Sequence, residues 1–376
     1  MKNIKTFLLT EGAFLFGAIT AVLFFRFSDV LLADLLPDLK TVVLFVWLFA
    51  VMLWCAFGVV RHADFLAERL GEPYGTLILT LSVISIEVSL ISAIMLAGEN
   101  EPTLARDTMF GILMIVLNGL VGITLLLGGW RHREQHYNLQ GAKAFLAVLI
   151  PLAVLTLVLP KFTVSTDLPA FTRYQGVFFA VITIVLYSVF LGIQTVRHRD
   201  LFLQPGARHA VTTGEGRGHA HTHPVARSVA YHAVLLFLTM LPVVLLSKKM
   251  AVFVDFGIER MGAPVALGGL IIAVLVLTPE GLGALHAALA NQLQRSVNIL
   301  LGSALATIGL TVPAVLTISL IIARSVELGL NDLEMLLLLL TLAVSTLTYT
   351  GGRTNILHGA IHLVLFLVYV FLIFYP

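Results

Sequence analysis

The sequence consists of long apolar segments separated by short clusters of charged residues. A membrane-spanning helix needs about 20 mainly apolar residues, and most of these segments reach that length. Hydrophobic residues make up 59% of the 376 residues and charged residues only 12%, whereas roughly a quarter of a soluble domain is charged. The chain is therefore predicted to be an all-α polytopic membrane protein.

Cutting the sequence at the charge clusters gives eleven predicted transmembrane helices. They cover approximately residues 7–25, 41–60, 74–97, 108–129, 144–160, 176–196, 229–247, 263–290, 297–323, 333–349 and 356–374. The first follows Lys2 and Lys5 as in a signal peptide, but no convincing cleavage site follows, so an anchor is expected. Most Lys and Arg residues fall in alternate loops, which predicts a cytoplasmic N-terminus and an external C-terminus.

A hydrophilic stretch rich in His, Arg and Gly divides the predicted helices into two sets of five. The expected organisation is an N-terminal helix and loop (1–40), a first repeat (41–196), a cytoplasmic linker (197–228) and a second repeat (229–376). Because five is odd, the two repeats must have opposite orientations. This inverted-repeat plan is typical of secondary transporters, whose substrate sites lie near the bilayer midplane.

Two glutamates, Glu87 and Glu280, each lie near the middle of an apolar segment. A charged side chain is costly in hydrocarbon and by default marks an ion or proton pathway. Both segments open with Gly-x-Pro, at residues 71–73 and 262–264. As the second helix of each set of five, the two segments are expected to enter from opposite sides and bring the glutamates together.

The residues around Glu280 favour a cation ligand. Pro279 lacks a backbone donor and frees the carbonyl of Leu275, and irregular backbone at membrane depth lines a cavity or is buried. We expect a broken helix with a carboxylate at the break, which suits a hard cation. The alternative is a kinked helix in which the carboxylate is hydrogen-bonded to a neighbouring helix.

The segment around Glu87 is rich in hydroxyls. Helical spacing puts Thr80 on the same face as Glu87, so Thr80 is a candidate ligand. The serines of this helix are instead expected to satisfy backbone carbonyls of their own helix; they are Ser82, Ser85, Ser89 and Ser92.

The helices that follow the two glutamates supply further polar candidates. Asn118 and Thr307 each lie 12 residues beyond an arginine, Arg106 or Arg295, and Ser303 precedes Thr307 by one helical turn. Small residues beside them allow close helix approach; they are Gly111, Gly119, Gly122 and Gly302.

The charges of the two glutamates indicate a mechanism of exchange. Facing one another in low dielectric, they are unfavourable when both are ionised. Two protons or one divalent cation would neutralise them, as would one monovalent cation with one retained proton. If only neutral forms reorient, the protein exchanges cations for protons. Carboxylates, an amide and loose carbonyls fit calcium better than magnesium, and sodium and potassium stay open.

Several segments resemble the bacterial ChaA-type branch of the calcium/proton (cation/proton) exchanger family, within the calcium/cation antiporter superfamily. They are GEPYGTLILTLSVISIEVSLI, RDTMFGILMIVLNGLVG, LVLPKFT and LVLTPEGLGALHAAL. The resemblance implies an inner-membrane protein with one N-terminal helix, two inverted five-helix halves, and alternating access for calcium or sodium against protons. It implies that Glu87 and Glu280 carry cation and protons, and reaches Asn118 and Ser303 less strongly. The family pattern Gly-Asn-x-x-Glu is replaced here by Val83-Ile84 and Val276-Leu277 before the two glutamates.

Other polar residues have two interpretations each. The histidines of the linker, His219, His221 and His223, can bind a transition metal or belong to a solvated, pH-sensing loop. His286, and the pair His358 and His362, form a proton relay or are satisfied buried histidines. Cys55 is expected to pack in an apolar helix, and Glu11 to face the membrane interface; they lie in the second and first predicted helices.

The sequence does not indicate an enzyme. It contains no HExxH motif, no obvious nucleophile and base pair within the spans, and no GxxxxGK[ST] phosphate loop. A passive channel is the remaining rival, although it would not need paired carboxylates. No cofactor is expected, and the partners are inorganic cations, protons and membrane lipid. A net charge of +2 without a basic run argues against nucleic acid, and the sequence leaves a homo-oligomer open.

Overall fold

The computed structural model of the chain describes residues 10–32, 35–70, 74–97, 102–205, 228–322 and 325–376. These residues are mainly helical. Among them, eight helices are long and apolar enough to cross a membrane. The prediction of an all-α polytopic membrane protein is therefore confirmed, while the predicted linker histidines lie outside the described residues.

We number the longer helices α1 to α11 in chain order. They are α1 (Gly12–Arg26), α2 (Leu39–Leu70), α3 (Tyr74–Ala97), α4 (Leu104–His132), α5 (Leu139–Phe162), α6 (Arg173–Arg197), α7 (Val229–Met261), α8 (Val265–Leu289), α9 (Leu293–Ile322), α10 (Asp332–Thr348) and α11 (Ile356–Phe374). Each overlaps one predicted span, and α2 and α7 extend well beyond theirs. The eight long apolar helices do not include α1, α3 and α10.

Helix ends are fixed by local side-chain and backbone contacts. The Asn331 side chain accepts from the backbone N–H of Glu334 at 2.9 Å, and the Glu334 carboxylate accepts from the Asn331 N–H at 3.0 Å. This reciprocal capping box satisfies donors that the first turn of α10 leaves unpaired. At its C-terminal end, α7 stops at Gly262, which has a φ of 66°. Glycine adopts this left-handed conformation without steric cost, so Gly262 ends α7 just before α8 begins.

The chain divides into two compact units, and each contains residues from both predicted repeats. The first unit comprises residues 1–108 and 228–279, and the second comprises residues 109–227 and 280–376. In the first unit, α1, α2, α3 and α7 pack around a core of apolar side chains that includes Phe24, Leu48, Met52 and Leu246. Cys55 is fully buried in this core, as predicted.

In the second unit, four helices contain a π-helical segment, in which the hydrogen bonds shift from i+4 to i+5. The segments are Ile115–Leu120 in α4, Val154–Val158 in α5, Ile193–Arg197 in α6 and Thr307–Thr311 in α9. Such segments are rare and frequently occur at functional sites. A two-stranded antiparallel pairing of Gln135–His136 with Arg353–Thr354 links the ends of α4 and α11.

The helices α4 and α11 approach each other closely through glycine. A Cβ added to Gly122 would lie 2.9 Å from the backbone nitrogen of Leu363, and one added to Gly119 would lie 3.3 Å from the Phe366 ring. The predicted role of Gly119 and Gly122 in close helix packing is therefore confirmed. This contact brings the middle of α11 beside the π-helical segment of α4.

Candidate functional site

The carboxylate of Glu280 lies on α8 and receives a hydrogen bond from α9. The hydroxyl of Ser303 donates to Glu280 Oε2 at 2.6 Å, and both residues are half-buried. A hydroxyl bonded to a carboxylate at this distance is a strong, charge-assisted contact. The prediction that Ser303 belongs with Glu280 is supported by this bond, as is the alternative of a carboxylate bonded to a neighbouring helix.

The expected helix break at Pro279 is wrong. Helix α8 continues without interruption from Val265 to Leu289 with Pro279 inside it. Proline removes one N–H from the ladder and its ring crowds the carbonyl four residues earlier, and the helix continues past both disturbances. Leu275, whose carbonyl would have bonded that N–H, is buried at 1% exposure.

Glu87 lies on α3 in the first unit and is buried, with 1% of its surface exposed. Three serines of this helix donate to the carbonyl four residues earlier: Ser85 to Leu81 and Ser89 to Ser85 at 2.6 Å, and Ser92 to Val88 at 2.5 Å. Their predicted structural role is thus confirmed. The side chain of Thr80 lies outside the described part of α3.

Asn118 and Thr307, which the sequence pairs through their spacing from an arginine, both lie in π-helical segments. Both side chains are fully buried. Such a segment inserts one extra residue into a helical turn, which rotates the following side chains and disturbs the regular carbonyl ladder. These segments were not predicted from the sequence.

Asn118 is part of a buried polar network. Its Nδ2 donates to Thr341 Oγ1 of α10 at 2.8 Å, and its Oδ1 lies 3.2 Å from His362 Nδ1 of α11. His362 Nε2 lies 2.9 Å from Thr348 Oγ1. The buried-histidine interpretation of His362 is therefore confirmed in that both ring nitrogens have partners. Thr341 and Thr348 of α10 were not among the predicted site residues.

The first unit contains a second polar network around Glu11. Arg61 Nη2 donates to Glu11 Oε2 at 2.6 Å, His62 Nε2 lies 3.1 Å from the same oxygen, and Tyr231 donates to Oε1 at 2.8 Å. His62 Nδ1 in turn lies 3.0 Å from His232 Nδ1. The expectation that Glu11 faces the membrane interface is wrong: Glu11 is 1% exposed, because a cation and two further donors satisfy its carboxylate inside the protein.

The other two histidines proposed for a relay, His286 and His358, lie near helix ends. His286 is exposed on α8. His358 belongs to the first turn of α11, where its Nδ1 lies 3.4 Å from the backbone N–H of Asn355 in a capping arrangement. Neither residue has a described contact with Asn118 or Glu280, so the structure gives no support to a relay through them.

The donors collected in the second unit are oxygen atoms: the Glu280 carboxylate, the Ser303 hydroxyl and the amide of Asn118. The segments that carry them are neighbours, because a Cβ added to Gly281 would lie 2.7 Å from Leu120 at the end of the π-helical segment of α4. Carboxylate, hydroxyl and amide oxygens are the ligands of hard cations. This part of the second unit is therefore suited to a hard cation or to protons.

Comparison with known proteins agrees with this chemistry. The chain is 44% identical over 355 residues to the sodium-potassium/proton antiporter ChaA of Escherichia coli (strain K12), covering 90% of this chain and 94% of the relative. It is 42% identical over 359 residues to the putative ionic transporter y4hA of Sinorhizobium fredii (strain NBRC 101917 / NGR234), covering 95% and 94%.

A solved structure shows the same fold. The crystal structure of selenium-substituted Ca²⁺/H⁺ antiporter protein YfkE superimposes with a TM-score of 0.72 at 16% identity, covering 98% of this chain and 99% of that one. The profile of the family described as sodium/calcium exchanger protein matches residues 40–196 and 231–375. This match extends over most of the sequence, and the chain belongs to the sodium/calcium exchanger protein family.

Proposed function

We propose that this protein is a secondary antiporter that exchanges a metal cation for protons, with Glu87 and Glu280 binding the cation and the protons competitively. The observation that carries the proposal is the hydrogen-bonded carboxylate of Glu280 within an apolar helix of an exchanger-family chain. Carboxylates at such positions mark ion and proton pathways. The family consists of transporters and not of enzymes, and the chain functions as an antiporter.

The exchange follows from charge. An ionised carboxylate in an apolar segment is unfavourable unless a proton or a cation neutralises it. Two protons neutralise two carboxylates, and one divalent cation does so equally well. Either load therefore allows alternating access, whereas the protein without a bound proton or cation is disfavoured. The Ser303 hydroxyl supports the ionised form of Glu280 when neither is bound, because it donates a hydrogen bond to the charge.

Calcium is the first candidate for the cation, because two carboxylates, hydroxyls and an amide provide the oxygen-rich, flexible ligand set that it prefers. Sodium and potassium are the second candidate, and a specific observation favours them: the 44% identical relative is a sodium-potassium/proton antiporter. With a monovalent cation, one carboxylate would keep its proton. No resident cofactor is involved in either case.

We further propose that α1 precedes two inverted repeats of five transmembrane helices, with the N-terminus in the cytoplasm of a bacterium and the C-terminus outside its inner membrane. The family match falls into two stretches, 40–196 and 231–375, which supports a division into two repeats. Asn118 and Thr307 support the same relation, because both occupy π-helical segments at corresponding sequence positions. Thr80, Asn118, Ser303, Thr307 and the carbonyl of Leu275 complete the proposed ligand set.

Everted membrane vesicles test the proposal. Vesicles from a bacterial host that lacks its own exchangers are acidified by respiration, and a fluorescent pH probe reports the gradient while Ca²⁺, Na⁺ or K⁺ is added separately. We expect Ca²⁺ to collapse the gradient, and a response to Na⁺ and K⁺ without Ca²⁺ would select the monovalent exchange instead. A gradient that survives all three cations, with the protein present in the membrane, would overturn the antiporter proposal.

A further inference from the structure

The buried network around Asn118 includes His362, a residue outside the proposed ligand set. We propose that His362 is a positioning residue: it holds the side-chain amide of Asn118 in the orientation that presents an oxygen to the transported cation. This inference rests on the proposed function and adds to it a residue of α11 that bonds to the amide of a proposed ligand.

Two neighbours bond the two ends of the Asn118 side-chain amide. Thr341 Oγ1 lies 2.8 Å from Asn118 Nδ2, and His362 Nδ1 lies 3.2 Å from Asn118 Oδ1. Because the amide oxygen can only accept, this contact requires the histidine tautomer with its proton on Nδ1. The two neighbours therefore hold opposite ends of the amide, and a flipped amide would require the other tautomer of His362.

The second ring nitrogen of His362 is bonded by a third residue. Thr348 Oγ1 lies 2.9 Å from His362 Nε2. With the proton on Nδ1, Nε2 is an acceptor, and the Thr348 hydroxyl donates to it. Donors then run in one direction from Thr348 through His362 to Asn118 and on to Thr341. All four side chains are at most 3% exposed, so bulk water does not compete for these bonds.

The network leaves one acceptor site on the amide. A carbonyl-type oxygen has two lone pairs, and His362 occupies one of them on Asn118 Oδ1. The other remains for a cation. An amide oxygen whose hydrogen-bond donor is fixed is pre-oriented, in the way that histidines bound to metals are oriented by the groups behind them.

Backbone geometry explains why His362 can reach Asn118. Asn118 lies in the π-helical segment Ile115–Leu120, and α11 approaches this part of α4 at Gly119 and Gly122. The same segment ends at Leu120, which lies against Gly281, the residue after Glu280. His362 thus supports a segment that borders the proposed cation ligand Glu280.

A double-mutant cycle tests the proposal by measuring the apparent KM for the cation and the maximal exchange rate in vesicles. We expect His362→Ala and Asn118→Ala each to raise KM by about tenfold or more, the size of effect that loss of an orienting neighbour has on metal affinity. The maximal rate should change little. Because both changes remove one function, the double variant should have the same KM as Asn118→Ala alone.

Two further variants separate positioning from packing. His362→Gln retains an N–H donor for the Asn118 oxygen and should return KM to within about threefold of the unaltered protein. His358→Ala, one turn earlier on α11, removes a helix-capping histidine and should leave KM unchanged. If His362→Ala does not reach the membrane, Thr348→Val replaces it as the test, because Thr348 bonds His362. We expect Thr348→Val to raise KM by less than His362→Ala.

The outcomes distinguish this proposal from the one on which it rests. An unchanged KM in His362→Ala, a multiplicative effect in the double variant, or no rescue by His362→Gln would each overturn the positioning role. If Asn118→Ala exchanges normally, Asn118 is not a ligand and the positioning role falls while antiport stands. If the unaltered protein exchanges no cation, the proposed function itself has failed.

Discussion

Glu11 in the first unit and Glu280 in the second are both carboxylates in apolar segments, but different neighbours hold them. Glu11 is bonded by the guanidinium of Arg61 at 2.6 Å, by the ring of His62 and by the hydroxyl of Tyr231. The described contact of Glu280 is with a neutral hydroxyl, that of Ser303. A fixed cation neutralises a buried carboxylate permanently, whereas a hydroxyl stabilises the charge without neutralising it.

The comparison teaches that burial alone does not identify a transport carboxylate. Both glutamates satisfy the rule that charge inside an apolar segment is expensive. For Glu11, the counter-ion Arg61 offsets this cost. The bonds of Glu11 to Arg61 and Tyr231 link α1 to α2 and α7. Glu280, whose described partner is the hydroxyl of Ser303, is proposed to exchange one neutralising ion for another, and we expect the same of Glu87.

The largest effect is expected from removing the proposed transport charges. Glu280→Gln and Glu87→Gln should each lower the exchange rate by about 100-fold or more, because loss of one charge from a buried ion contact costs several kcal/mol. The initial rate of gradient collapse in vesicles measures the effect, and immunoblotting confirms equal insertion. Exchange at the normal rate in either variant would remove that glutamate from the mechanism and abolish its contrast with Glu11.

A smaller effect is expected at Ser303. A hydrogen bond to a charged group is worth about 1.5–3 kcal/mol, so Ser303→Ala should raise the apparent KM for the cation about tenfold. The ionised form of Glu280 loses its donor, so protons compete more strongly and the pH of half-maximal exchange should rise. Transport measured across a pH series records both changes.

The matched control for Ser303 is a serine whose hydroxyl remains on its own helix. Ser85 donates to the carbonyl of Leu81 at 2.6 Å, so Ser85→Ala should leave both the KM and the pH profile unchanged. Equal effects of the two substitutions would show that the neighbour of Glu280 has no special role, and the comparison between the carboxylates would then lose its chemical basis.

Much of the fold could be predicted from the sequence. In a bilayer every backbone polar group must be bonded within the segment, so apolar runs of sufficient length become helices. The sequence also predicted that the hydroxyls of Ser85, Ser89 and Ser92 satisfy backbone carbonyls, and they bond their own helix. Gly262 also ends α7 at the position where its Gly-x-Pro motif stands.

The partners of the buried polar side chains could not be predicted in the same way. Asn118 bonds Thr341, which is 223 residues away in the chain, and His362, which is 244 residues away. Such pairs depend on which helix faces meet, and no local pattern in the sequence encodes that. The same limit explains the wrong placement of Glu11: its burial depends on Arg61 and His62 at the far end of α2. The π-helical segments also lack a sequence signal.

The smallest effect on exchange is expected at Glu11, where the change should instead lower stability. Glu11→Gln removes the charge that pairs with Arg61, whose side chain is 46% exposed and can turn to water, so the loss is modest. We expect the unfolding temperature of the purified protein to fall by about 2–6 °C and exchange to stay within twofold. Glu134→Gln is the matched control: its pair with Arg353 is exposed on both sides, and such pairs contribute little. If the Glu11→Gln protein has a normal unfolding temperature but no exchange activity, Glu11 belongs among the transport carboxylates. The fixed counter-ion Arg61 would then not have prevented Glu11 from exchanging protons.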